Sequence, residues 1–497
     1  MKTTAYKNFV YSIVAQFVTI LSGIIVPRLL LQTFGSEVNG LVSSITQFLN
    51  YISLVEGGVG SVIVASLYAP LSTKNYIALN SVLNAGEFFF RKIGVVLLIY
   101  CFALGIVYPY IVHANFSVSY IFVLVVILSI NPILSYFFVV NYKYLLLADQ
   151  KIYIVHAITI ASTVFTIAIT CYLVRISNSI HVVKAFCTIP FLIQPVFFSN
   201  YCKERYHIDK KIEKNIVALK NRWDAFGQNT AYFIHANTDI VIISLFMDLT
   251  AVSAYTVHLL VINGLKSFMS AISSVFSPII GRYYALKDEN KLVEMFDHYV
   301  FLTCFVASIM FGCCVNLLSS FVAIYTHGIN DANYYYPVFG IIITIAEYVY
   351  CIRDPYVQLV YSAKLFKETS KASYLEAIIN ITVSIAFVRA FGLVGIAIGT
   401  FIAMFIRFIY LVVFANRIIL RRNMKCCYKR SLISFVSIVI SSVLFFSLRL
   451  NGDTIFAWIF MASISFSINL LILTVLFFLF DKEEVKYYIY KIITPKQ

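Results

Sequence analysis

Side chains that water normally holds lie inside long apolar runs of this 497-residue chain. The cations are Arg28, Lys266, Arg353 and Arg407. The acids are Glu56, Asp224, Asp239, Glu347 and Asp354, with His235 and His258 as further titratable groups. A charged side chain at mid-bilayer costs about 2.5–3.5 kcal/mol on insertion scales, so such groups persist where they meet a partner or a hydrated cavity. Arg28 suits a charge pair or an anion clamp on the outer side of a central cavity, and Lys266, too deep to snorkel easily, suits the lining of a polar cavity. Glu56, Asp239, Asp224 and His235 suit a coupling or gating role, in which a carboxylate or imidazole exchanges a proton or a small cation. Each residue also has a plainer reading. Arg28 snorkels to the outer interface, Arg353 anchors at the inner one, and Arg407 pairs within the bundle. Glu56 forms a structural ion pair and His235 is a hydrogen-bonded core histidine. Asp224, Gln228 and His235 are spaced by four and seven, which puts them on one helix face.

Enzyme chemistry finds no support. The chain carries no P-loop, no GxSxG elbow and no HExxH pair, so no catalytic residue is assigned and an ATP-driven pump in one chain is disfavoured. Its Cys residues are scattered, and the adjacent pairs Cys313-Cys314 and Cys426-Cys427 lack metal-ligand spacing, so no metal is expected. No cofactor is called for beyond Na⁺ or H⁺ as a coupling ion.

The elements that position these groups follow from composition. Hydrophobic residues make up 61% of the chain, charged residues 12% and aromatics 16%, and mean hydropathy is +0.87. A soluble domain carries about twice that charged fraction. Apolar runs long enough to span a bilayer recur near 8–32, 39–67, 92–112, 118–141, 152–174, 181–201, 223–246, 251–281, 297–325, 334–360, 372–389, 393–415, 431–449 and 454–480. Arg353-Asp354-Pro355 interrupts the tenth, and Glu56-Gly57-Gly58 breaks the second at mid-depth. The N-terminus runs into the first span with no cleavage site for a signal peptide. With the N-terminus inside, most of the 38 Lys and Arg fall on the cytoplasmic side, and only Arg175, Lys184, Arg389 and Arg449 fall outside. This bias predicts an N-in, C-in, multi-pass membrane protein. It also explains the net charge of +15 without nucleic acid.

The expected fold class is therefore all-α integral membrane, with about fourteen transmembrane helices. The polar stretch 203–222 reads as a cytoplasmic amphipathic linker between a six-helix lobe, 1–202, and a second, 223–430. Two extra helices and a cytoplasmic tail occupy 431–497. A shift of about 213 residues lays Ser61-Val62 on Ser274-Val275 and Lys74 on Lys287, and brings Arg28 near Val241, close to Asp239. Six is even, so both lobes enter the membrane in one orientation. They would then relate by a pseudo-two-fold axis along the membrane normal, with a substrate site between them.

Several motifs, in order, resemble a known family. They are PRLLLQTFGSEVNG ending at Gly40, Glu56-Gly57-Gly58-Val59-Gly60-Ser61, Leu67-Tyr68-Ala69-Pro70-Leu71, Phe276-Ser277-Pro278-Ile279-Ile280-Gly281, Arg353-Asp354-Pro355-Tyr356 and the run Gly392–Thr400. The chain resembles the polysaccharide repeat-unit (O-antigen or capsule, Wzx-type) flippases of the multidrug/oligosaccharidyl-lipid/polysaccharide exporter superfamily, which also holds MATE and MurJ-like proteins. The resemblance implies alternating access by two lobes around a basic cavity. It also implies translocation of undecaprenyl-diphosphate-linked oligosaccharide repeat units, in contact with membrane lipids and other polysaccharide assembly proteins. On that basis Arg28, Lys266 and Arg353 are the expected diphosphate ligands. The alternatives are a cation-coupled multidrug exporter of the MATE type, a lipid II flippase, and a membrane polysaccharide polymerase. Twelve spans and an acidic cavity would favour the first. Several basic residues in span 1 would favour the second, whereas this chain has Arg28 alone. A sizeable external loop, which this chain lacks, would favour the third.

Overall fold

A computed structural model describes residues 2–56, 59–112, 115–215, 237–363, 365–423, 425–450 and 454–481. Among the described residues all regular structure is helical. Hydrocarbon offers no water to backbone N–H and C=O groups, and a helix satisfies them within one segment. Eleven described helices are long and apolar enough to cross a membrane. The shorter Val62–Ser72 and Asn237–Phe246, together with Pro337–Ser362, complete the correspondence with the fourteen predicted runs. The protein is thus a multi-pass helical membrane protein. It divides into two compact units, Met1–Ser253 with Gly328–Ala332, and Ala254–His327 with Asn333–Gln497.

The first unit opens with α1 (Lys2–Asn50), which Gly35 interrupts at φ 82° and ψ 174°. A side chain would strain that backbone. The break frees the amide of Ser36, which donates to Asp331 Oδ2 at 2.7 Å, while the Ser36 hydroxyl donates to Asp331 Oδ1 at 2.6 Å. The carboxylate satisfies an N–H that no preceding turn can reach. The second predicted span is a chain of pieces: the arm 36–50 of α1, the single turn α2 (Ser53–Glu56) and α3 (Val59–Ser72). Next come α4 (Tyr76–Ile111), α5 (Val118–Leu134), a five-residue π-turn at Ser135–Val139, and α6 (Val140–Ala148). The unit continues with α7 (Ile152–Leu173), α8 (Ile180–Cys187), α9 (Ile189–Tyr206) and α10 (Asn237–Phe246).

Of the amphipathic helix expected over 203–222, residues 203–206 are the end of α9 and 207–215 are not helical. α9 ends at Tyr206, His207 turns left-handed at φ 47°, and 208–215 are irregular. Two asparagines one turn apart on α4 hold this segment open. Asn80 donates to the His207 carbonyl at 3.1 Å, and Asn84 donates to those of Asp209 and Ile212 at 3.0 and 2.9 Å. These bonds tie the segment to α4. Residues 216–222 lie outside the described set.

The first unit runs on to Ser253, and side-chain chemistry shows why. α10 and the first turn of α11 (Leu249–Ala285) run antiparallel to the second arm of α1. Gln47 donates to the Asn237 carbonyl at 3.2 Å, the hydroxyls of Ser44 and Ser244 meet at 2.6 Å, and Asn39 donates to Ser253 at 2.9 Å. Gly40 lets the two backbones close. A Cβ there would fall on the carbonyl oxygen of Leu249. Small residues and polar bridges are how helices associate where lipid removes the hydrophobic drive.

The second unit is built on α12 (Glu289–Tyr325), 37 residues long and so about 55 Å at helical rise. α13 (Pro337–Ser362), α16 (Lys425–Ser447) and α17 (Ile455–Phe480) pack on it, and α14 (Phe366–Phe391) and α15 (Leu393–Phe414) pair beyond α13. The two C-terminal helices seat through Phe301, Ile309, Ile433, Leu473 and Phe477. Polar contacts set their depth: Asn316 donates to Ser465 at 2.9 Å and Ser441 to Asn469 at 2.7 Å. At one end, Arg422 grips Asp297 with two bonds of 2.7 Å, and Arg430 reaches Asp481 at 2.6 Å.

Candidate functional site

In the first unit, Arg28 follows Pro27 inside α1. It is half-buried, and its Nη1 is shielded from solvent. Glu56 closes α2, at the break in span two, and two phenols hold its carboxylate. Tyr136 donates at 3.1 Å and Tyr144 makes a shorter bond. The π-turn Ser135–Val139 carries Tyr136. A π-turn rotates the following face of a helix, and this one follows Pro132, which has no amide to donate. Asp239 is buried on α10, beside Thr238, whose hydroxyl is 3.4 Å from that of Tyr51. Glu56 and Asp239 therefore belong to separate clusters, one against tyrosines and one in the ladder between α1 and α10. Asp224 and His235 lie outside the described residues.

The second unit gathers the other charges. Lys266 projects from the middle of α11, and its Nζ lies 2.8 Å from Glu347 Oε2 on α13. The ammonium also stands 4.5 Å from the centre of the Tyr350 ring, and the guanidinium of Arg353 stands 4.8 Å from that same ring. Both cations meet the negative face of one aromatic. Arg353, expected to face a hydrated cavity, is 2% exposed and pairs with Glu376 on α14. Arg407 on α15 pairs with the other oxygen of that carboxylate. One buried acid therefore binds two guanidiniums and fastens α13, α14 and α15 together. Next to it, Asp354 accepts from Tyr299 at 2.8 Å and from Ser273, while Gln358 donates to it at 3.2 Å.

Lys266 and Arg353 thus meet at Tyr350, but their states differ. The Lys266 side chain keeps 26% exposure and that of Glu347 10%, whereas Arg353 and Glu376 are sealed. Arg407 pairs within the bundle, through Glu376. The residue that sequence reading missed is Glu376. Its signal was present: a carboxylate inside the eleventh apolar run, one turn before Asn380, which itself donates to Thr400 at 3.0 Å.

No family model and no curated protein matches the sequence. Solved structures do. A lipid II flippase, MurJ, in an inward closed conformation superposes with TM-score 0.70 at 17% identity, over 94% of this chain and 99% of that one. An inward-facing MATE-family multidrug resistance transporter of the MOP superfamily gives 0.61 at 13% identity, over 79% and 93%. The MATE multidrug transporter DinF-BH, solved as a complex, gives 0.57 at 15% identity, over 82% and 94%. The likeness is one of fold.

Proposed function

We propose that this protein is a flippase that carries undecaprenyl-diphosphate-linked oligosaccharide repeat units across the bacterial cytoplasmic membrane by alternating access, for O-antigen or capsule assembly. The observation that supports this most is the extent of the fold match. The MurJ likeness takes in 94% of the chain, whereas the two MATE structures take in 79% and 82%. A single span-one cation, Arg28, sets the chain apart from a peptidoglycan-precursor flippase.

A diphosphate cannot cross hydrocarbon bare, and cations held in a hydrated path neutralise it. Lys266 is the headgroup ligand at the start of the cycle, because its ammonium is held at mid-helix yet partly open. Arg28 receives the headgroup on the outer side. Arg353 acts at one remove, holding Tyr350 against Lys266. Glu56 and Asp239, with Asp224 and His235, serve coupling or gating, with H⁺ or Na⁺ as the ion. Both termini face the cytoplasm, by the Lys and Arg bias.

Proteoliposomes loaded with a fluorescent lipid-linked sugar test the proposal. Lys266→Ala and Arg28→Ala are each expected to slow translocation about tenfold, the effect of losing ~1.4 kcal/mol of headgroup stabilisation. Full activity in both variants would overturn it. Efflux of cationic dyes by cells expressing the protein, with no lipid-linked sugar moved, would favour the MATE-type exporter.

A further inference from the structure

We infer that Glu347 is an internal counter-ion that an anionic headgroup displaces from Lys266, so that substrate binding is an exchange of one anion for another. The inference rests on the reading of Lys266 as the headgroup ligand.

Two sets of ion pairs adjoin the ring of Tyr350 in the second unit, and they differ in kind. Arg353, Glu376 and Arg407 are sealed, with both carboxylate oxygens taken. Lys266 and Glu347 are one pair at 2.8 Å with residual exposure on each side chain. An incoming anion therefore meets Lys266 already holding a carboxylate. A phosphate oxygen offers the ammonium the same charge and a similar approach, so it can take that place directly. Lys266 is then never bare in the membrane interior. Glu347, once displaced, stays within electrostatic reach of Arg353 on its own helix.

The functional consequence concerns release. A flippase that binds its headgroup too tightly keeps it. A carboxylate that competes for the same ammonium weakens binding and speeds departure. Glu347 is thus a positioning residue that sets affinity against turnover. If the pair merely ties α11 to α13, its loss would change stability and leave ligand affinity unmoved.

Binding of farnesyl diphosphate to the purified full-length protein in nanodiscs tests this, with inorganic pyrophosphate in parallel. Glu347→Gln is expected to bind farnesyl diphosphate about fivefold tighter, the scale of one partly exposed ion pair. The double variant Lys266→Ala/Glu347→Gln is expected to bind no tighter than Lys266→Ala, because the gain acts through the ammonium. In transport, Glu347→Gln is expected to lower KM and kcat together. Unchanged or weaker binding by a folded Glu347→Gln would overturn the inference, as would a gain that survives Lys266→Ala. If Glu347→Gln does not survive purification, Glu347→Asp serves: a smaller gain supports the inference and no gain overturns it. If wild type binds the probe with no dependence on Lys266, the functional reading itself fails. Equal affinity for pyrophosphate would overturn a lipid headgroup as the ligand.

Discussion

Glu376 shows what a single side chain decides inside a membrane. Its carboxylate bridges Arg353 and Arg407, all three are buried, and removing one member of such a set leaves a charge uncompensated. Glu376→Gln is expected to cost about 3–5 kcal/mol, read as a lower melting temperature of the detergent-solubilised protein. Lys266 should behave in the opposite way. Its ammonium is partly exposed although Glu347 is buried, and a pair open to solvent on one side contributes about 1 kcal/mol. Lys266→Ala/Glu347→Gln, which strands no charge, is therefore expected to melt near wild type while translocation slows about tenfold. The two measurements together separate a fastening charge from a working one.

At the scale of elements, the contact between α1 and the start of α11 depends on a missing side chain. Gly40 faces the Leu249 carbonyl at a distance that admits no Cβ. Gly40→Ala must part the helices and strain the ladder of Asn39, Ser44 and Gln47. Forced overpacking of this kind costs about 1–3 kcal/mol, and a thermal melt should show it. Gly23 is the control. Nothing lies within 4 Å of where its Cβ would be, so Gly23→Ala should be neutral or stabilise α1 by about 0.5–1 kcal/mol through helix propensity.

At the scale of the whole molecule, the Lys and Arg bias predicts which side each connection faces. Single cysteines introduced into a background lacking reactive native ones test that map. A cysteine at Asp331 is expected to react with a membrane-impermeant maleimide in intact cells, and one at Lys210 only after permeabilisation. The reverse pattern would invert the topology and, with it, the assigned direction of transport.

Much of the fold was legible because hydropathy reports directly on what a bilayer demands. Among the described residues the apolar runs fall on helices, the seventh in its described part Asn237–Phe246, and the tenth runs unbroken through Arg353-Asp354-Pro355. Elements that depend on a distant partner were not legible. The segment after Tyr206 has the pattern of an amphipathic helix, yet Asn80 and Asn84, more than a hundred residues away, claim its carbonyls. The site was half legible. A charge within an apolar run marks itself, which singled out Lys266 and Arg353. Which charges were already spoken for did not show.

The sequence by itself determined a helical, multi-pass membrane protein, because lipid leaves the backbone only its own groups to bond and the length of each apolar run sets each span. The tertiary structure alone decided that Arg353 and Arg407 share Glu376 while Lys266 meets Glu347 beside Tyr350. Those partners sit on different helices, and which faces of two helices meet depends on side-chain packing between them, which no periodicity within either one records.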